Sequence, residues 1–169
     1  LWRSACYRPK RSEDLSLKLL PALLMALLPL TALALETGER LAPWTLLDQY
    51  DQPYTLNNQT RTLLVARSMG AAKLVNQALE GKPEGFLESR QTVFVADIQK
   101  MPTLIARMFA IPKMRDYSYR VMLDRDSRVV PQYVGDEDKV LWLQLRDGQL
   151  VRRQQFSTAE QLRSALERP

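Results

Sequence analysis

The chain has 169 residues, 46% of them apolar and 25% charged, with a formal charge of +5. That permits one packed domain and a leader. Residues 1–34 hold five basic and two acidic side chains and the remainder nineteen and seventeen, a balance too even for the concentrated basic surface that nucleic acid demands. Histidine is absent and Cys6 is the sole cysteine, so the usual transition-metal ligands are missing.

The first apolar run spans Leu19–Leu35, follows Lys18 and closes on Thr31-Ala32-Leu33-Ala34. A basic start, an apolar centre and an Ala-x-Ala site form the pattern of a secretory signal peptide cut after Ala34. Pro21 and Pro29 and the short apolar centre argue against a spanning anchor in a hydrocarbon layer about 30 Å thick. Residues 1–16, which include Cys6, match neither leader nor domain and read as an extension ahead of a start near Leu15 or Leu17. The expected division is therefore extension and leader over 1–34, domain over 35–169.

After a polar lead-in at Glu36–Pro43, Trp44–Leu47 and Tyr54–Leu56 read as strands joined by turn residues from Asp48 to Pro53. Thr62–Ala66 and Thr92–Ala96 are continuous apolar runs, expected for strands buried on both faces. Between them Ser68 is placed to cap a helix whose apolar positions are Ala71, Leu74, Val75, Ala78 and Leu79 and which Gly81 stops. Pro102 opens a second helix. Its expected apolar face is Leu104, Ile105, Met108 and Phe109, and Pro112 ends it. Tyr119–Leu123 is a strand leading into Asp124-Arg125-Asp126-Ser127, a turn. Val140–Leu145 and Gln149–Arg153 flank Asp147-Gly148, a hairpin signal. Ser157-Thr158-Ala159-Glu160 reads as a capping box for the last helix, with Ser157 as the cap and Leu162, Ala165 and Leu166 as its apolar face. Strands alternating with helices imply a parallel centre covered by helices on both faces, to which the hairpin adds antiparallel strands.

In that order the segments Tyr119–Tyr133 and Val140–Val151 resemble the C-terminal half of thioredoxin-like proteins of the peroxiredoxin and thiol-disulfide-reductase type. Leu46-Leu47-Asp48-Gln49 with Leu56 is similar to their N-terminal hairpin, and Glu36–Arg40 to the start of small periplasmic members. The likeness covers about residues 36–167. It implies an α/β, three-layer thioredoxin-like sandwich with a mixed central sheet and an N-terminal β-hairpin extension. It also implies active cysteines just after the first core strand and a cis-proline before the hairpin strand. Here the first place reads Arg67-Ser68-Met69-Gly70-Ala71-Ala72, and the second falls at about Lys139, the nearest proline being Pro131.

Disulfide exchange and peroxide reduction both need a thiolate, so neither is expected. Ser68 lacks a histidine base, and a lysine such as Lys73 is the one substitute in view; a helix cap explains the serine without chemistry. Ser68, Met69, Gly70 and Ala71 are then a degenerate active-site position. Asp97 and Asp124 end core strands, where open α/β sheets place ligands, and with Lys139 they are candidate cleft contacts; their plainer role is to cap turns. Arg107, Lys113, Arg115 and Arg120 lie among Met101, Met108, Met114 and Phe109, which suggests a surface for a partner or anionic ligand, against the plainer reading of helix core and solvated basic face. Asp136-Glu137-Asp138 lacks the ligand spacing of a calcium loop and reads as a solvated loop. No metal and no cofactor is expected. The leading expectation is an exported, redox-inactive module binding a periplasmic protein partner, with no nucleic acid and membrane contact only through an uncleaved leader. Two alternatives are a non-thiol enzyme, such as the flavin-linked dehydrogenase that similar sequences are sometimes labelled, and a membrane-anchored envelope structural protein. The flavin reading lacks a Gly-x-Gly-x-x-Gly after any strand.

Overall fold

The computed structural model describes residues 35–168; the leader, the proposed cut after Ala34 and Cys6 concern residues outside that range. Seven strands form one mixed sheet in the order β2-β1-β5-β4-β3-β6-β7. Their ranges are β1 Thr45–Asp48, β2 Pro53–Thr55, β3 Thr62–Ala66, β4 Thr92–Asp97, β5 Met122–Asp124, β6 Val140–Arg146 and β7 Gln149–Phe156. The centre, β3-β4-β5, is parallel, and every other neighbour pair is antiparallel. All five residues of β3 are buried, because alternate side chains feed opposite cores. Leu64 and Ala66 enter one cluster and Leu63 and Val65 the other.

The helices share one face. Helix α1, Met69–Leu79, buries Ala71, Val75, Ala78 and Leu79. Its open C-terminal carbonyls are met by the Arg163 guanidinium, which donates to Ala78 O at 3.1 Å and Gln77 O at 2.6 Å. Between β4 and β5 runs a composite helix: α2, Thr103–Ile105, a π-helical stretch, Ala106–Ala110, and α3, Ile111–Met114. Helix α4, Ala159–Glu167, inserts Leu162 and Leu166 into the same cluster. The opposite face carries no α-helix among the described residues. Leu41, Trp44, Leu56 and the 3-10 turn Val130–Gln132 with Tyr133 cover it, pinned by Trp44 Nε1 donating to Tyr133 Oη at 2.8 Å.

Four details depart from expectation. The α-helices cover one face of the sheet rather than both, because the buried side chains of each enter the same cluster. Pro112 does not end its helix. Proline lacks the N–H and crowds the carbonyl four residues back; the wider π turn just before it, closed by Ile111 N–H to Ala106 O, makes room. The same turn puts Ala106 and Ile111, five apart, on the buried side. Leu104, Ile105, Met108 and Phe109 therefore point outward, 66%, 46%, 60% and 63% exposed, rather than forming the apolar face. The fourth concerns the last helix, whose cap is Thr158, accepting from Gln161 N at 3.3 Å, not Ser157. The Asp147-Gly148 hairpin forms with both residues at positive φ, 52° and 79°, as a two-residue turn of this type requires. Past it β7 carries an extra residue at Val151, since Gln144 faces Arg152 while Leu145 faces Leu150. No described helix is long and apolar enough to cross a membrane.

Candidate functional site

The degenerate position sits at the N-terminus of α1. Ser68 Oγ accepts from Ala71 N at 3.2 Å and donates to Glu137 O at 2.8 Å. Both partners are backbone atoms, so the hydroxyl has no base to take its proton and holds two segments together instead. Met69 is 55% exposed beside exposed Gly70, and Ala71 is buried. Arg67, one residue earlier, donates from Nη1 to Val130 O and Tyr133 O. The loop Asp136–Lys139 closes over Ser68, held by Lys139 to Asp136 at 3.1 Å and by Lys100 to Glu137 at 3.3 Å. Hydrogen bonds from the Asp138 amide and Lys139 hold the Asp136 carboxyl below its ordinary range.

Three expected cleft contacts are accounted for by turns. Asp124 is fully buried. Its Oδ1 accepts from Arg128 N at 3.0 Å and its Oδ2 from Val129 N and Val130 N, each at 2.8 Å. No lone pair faces a cleft. Asp97 accepts from Gln99 N at 2.9 Å and Ser127 Oγ at 2.6 Å. Lys139 is spent on Asp136. The reason is common to all three: a carboxylate or ammonium at a strand end is beside the unpaired groups of its own turn, and those are satisfied first.

The cleft lies elsewhere, beyond the carboxyl ends of β4 and β5, with a volume of about 590 Å³. Ile98, Met101, Ala106 and Ile111 form its apolar wall, and Arg107, Arg115 and Arg125 face Asp51 and Asp126. Asp51 is shared, 2.9 Å from Arg125 Nη2 and 3.6 Å from Arg115 Nη2. Arg115 is anchored further by Nε donating to Gln49 O at 2.9 Å. Asp126 lies 3.6 Å from Arg128. Arg107 is exposed and makes neither hydrogen bond nor ion pair among the described residues. Three guanidiniums thus meet two carboxylates, and one of those carboxylates already serves two of them. The arrangement suits a carboxylate or phosphate, for which a guanidinium fork offers paired donors.

Of the basic residues singled out from sequence, the fold brings Arg107 and Arg115 into this cleft and leaves Lys113 exposed outside its lining. Arg120 turns away to Asp48, at 2.7 Å. Asp51 and Arg125 read only as turn residues. They meet across 74 positions of sequence, and no local signal announces that. Gln49 was also a turn residue in sequence. It is wholly buried, donating to Tyr119 O at 2.8 Å and Met114 O at 3.3 Å and accepting from Val121 N at 3.0 Å. That clip holds the composite helix and β5 against the β1–β2 turn, and so sets the width of the cleft.

No family model and no curated protein matches the sequence. Solved structures do resemble the fold. A provisionally assigned protein disulfide isomerase from Bacteroides thetaiotaomicron aligns at TM-score 0.54 and 14% identity, over 79% of this chain and 87% of that one. A hypothetical protein from Sinorhizobium meliloti gives 0.53 and 21%, over 79% and 84%. The thioredoxin domain of a thiol-disulfide oxidoreductase from Bacteroides vulgatus gives 0.50 and 12%, over 79% and 100%. The chain has an α/β thioredoxin-like fold with a mixed central sheet, and it lacks a cysteine pair.

Proposed function

We propose that this chain is an exported, redox-inactive thioredoxin-like module of the bacterial periplasm that binds a protein partner through the arginine cleft. The observation that carries the reading is Arg107, whose guanidinium has no partner among the described residues, in the lining of a cleft whose carboxylates are already engaged. An acidic side chain of the partner completes the charge balance there. The exposed ridge Leu104, Ile105, Met108 and Phe109 belongs to the same helical segment and supplies apolar contact around it. The missing cysteine pair is consistent with the lack of disulfide and peroxide chemistry. The leader pattern over residues 19–34 supports export.

The test is site-specific photocrosslinking in the cells that export the protein. A photoreactive residue at position 108 should yield a discrete adduct that Arg107→Glu abolishes, while the same residue at Glu84, an exposed site away from the cleft, should yield none. No adduct from position 108, or the same adduct from both positions, overturns the binding reading. Measurable insulin reduction or peroxide consumption by the purified protein overturns the redox-inactive one.

A further inference from the structure

The opposite end of the sheet carries a second, larger site. A groove of about 1150 Å³ opens at the starting ends of β3 and β4, beside the hairpin and the end of α4. Arg61, Arg90, Arg146, Arg152 and Arg168 line it, against a single carboxylate, Asp147 at the hairpin tip. Residues 35–169 hold nineteen basic and seventeen acidic side chains, so this segregation is a property of the fold and not of composition. Seven ion pairs form among the described residues, and none includes any of these five arginines.

Two of the five are held in place by neutral acceptors, with the Glu167 carboxylate, which is paired with Lys82, also feeling the charge of Arg90. Arg61 Nε donates to Gln91 Oε1 at 2.7 Å, and Arg90 Nε donates to Leu166 O at 2.9 Å while its guanidinium lies 3.9 Å from the Phe86 ring centroid. Neutral acceptors and an aromatic face orient the fork and leave its charge for a ligand. The side chains of Arg146 and Arg168 make no hydrogen bond among the described residues. Uncompensated like charges gathered on one surface repel one another, and an anion removes that repulsion.

Between the arginines stand the side-chain amides of Gln59 and Gln144, with neither half engaged among the described residues, while Asn58 Oδ1 already accepts from Arg40 Nη1 at 3.0 Å and the Gln154 amide lies against the Arg152 guanidinium. An amide presents both a donor and an acceptor. The backbone of an extended peptide uses both halves, and acidic side chains along it match the guanidinium forks. We propose that this groove binds an acidic segment of polypeptide, with the arginines taking its carboxylates and the amides its backbone. This site is separate from the arginine cleft and does not depend on it.

The test is fluorescence polarisation with the purified chain and a labelled ten-residue peptide of alternating Glu and Ser. The matching Lys/Ser peptide, a ten-nucleotide oligothymidylate and a heparin oligosaccharide serve as comparisons. The Glu/Ser peptide should bind, with an affinity that falls as salt is raised, and the Lys/Ser peptide should not. Arg146→Glu with Arg152→Glu should weaken binding about tenfold or more, with unfolding by urea confirming that the variant remains folded. Arg146→Lys with Arg152→Lys, which keeps the charge but not the fork, should fall between. Lys73→Glu, a charge change on the exposed side of α1 away from both the groove and the cleft, should leave the affinity unchanged. Absence of salt-sensitive binding, tighter binding of the oligonucleotide or heparin, or equal loss in the Lys73→Glu control overturns the proposal.

Discussion

Asp48 and Asp124 show how a carboxylate at a strand end is put to work. Burial pushes the Asp48 carboxyl up, but the Gln52 amide, the Arg120 guanidinium and the Tyr50 amide outweigh it and leave it below its ordinary value of 3.8. A group whose folded value is depressed gives stability that is complete above the unfolded value and is lost as pH falls through the folded one. Asp48→Asn should therefore be less stable than the parent at neutral pH, with the gap narrowing below about pH 4. Urea unfolding across that range measures it; a gap that stays constant would mean Asp48 titrates alike in both states. Asp124 serves three amides of its turn and has no exposure at all. Asp124→Ala should cost about 3 kcal/mol, because it strands donors that water cannot reach. A loss under about 1 kcal/mol in denaturant titrations would mean that those amides find other partners.

The composite helix is the element that the fold uses differently from its sequence pattern. Its apolar residues at Leu104, Ile105, Met108 and Phe109 satisfy helical spacing, yet the π turn ahead of Pro112 hands the buried side to Ala106, Ile111 and Met114. Stability measurements separate the two faces. Ile111→Ala should lose about 2–4 kcal/mol as a buried large-to-small change. Phe109→Ser, at 63% exposure, should change stability by less than about 0.5 kcal/mol. Comparable losses from both would place Phe109 in the core. An outward ridge that contributes little to folding is a surface available to a partner, and Arg107 lies within it. The β6–β7 hairpin behaves in the opposite way. Its turn is written in two adjacent residues, Asp147 and Gly148, and it forms as written.

At the scale of the whole molecule, the sheet separates two arginine-lined surfaces at opposite ends of β4. The cleft lies past Asp97 and the groove around Thr92. At the N-terminus of α1, where the thioredoxin-like resemblance implied active cysteines, Ser68 is tied instead to the loop Asp136–Lys139. What was legible beforehand was whatever neighbouring residues decide. The cap at Ser68, the buried runs of β3 and β4 and the Asp-Gly turn are all set by local backbone chemistry. The cleft was half legible: Arg107 and Arg115 stand out within one segment, but Asp51 and Arg125 do not, because a turn residue looks the same whether or not a distant arginine reaches it.

Sequence alone therefore determined the strand and helix order, the lack of a cysteine pair and the leader pattern. Those depend on residue identity and on spacing within a few positions. Tertiary structure alone decided which face of the composite helix is buried, which carboxylates are consumed by their own turns, and where unpaired guanidiniums gather. Each of those outcomes depends on which chain segments the sheet brings side by side, and the strand order that does so joins residues many tens of positions apart.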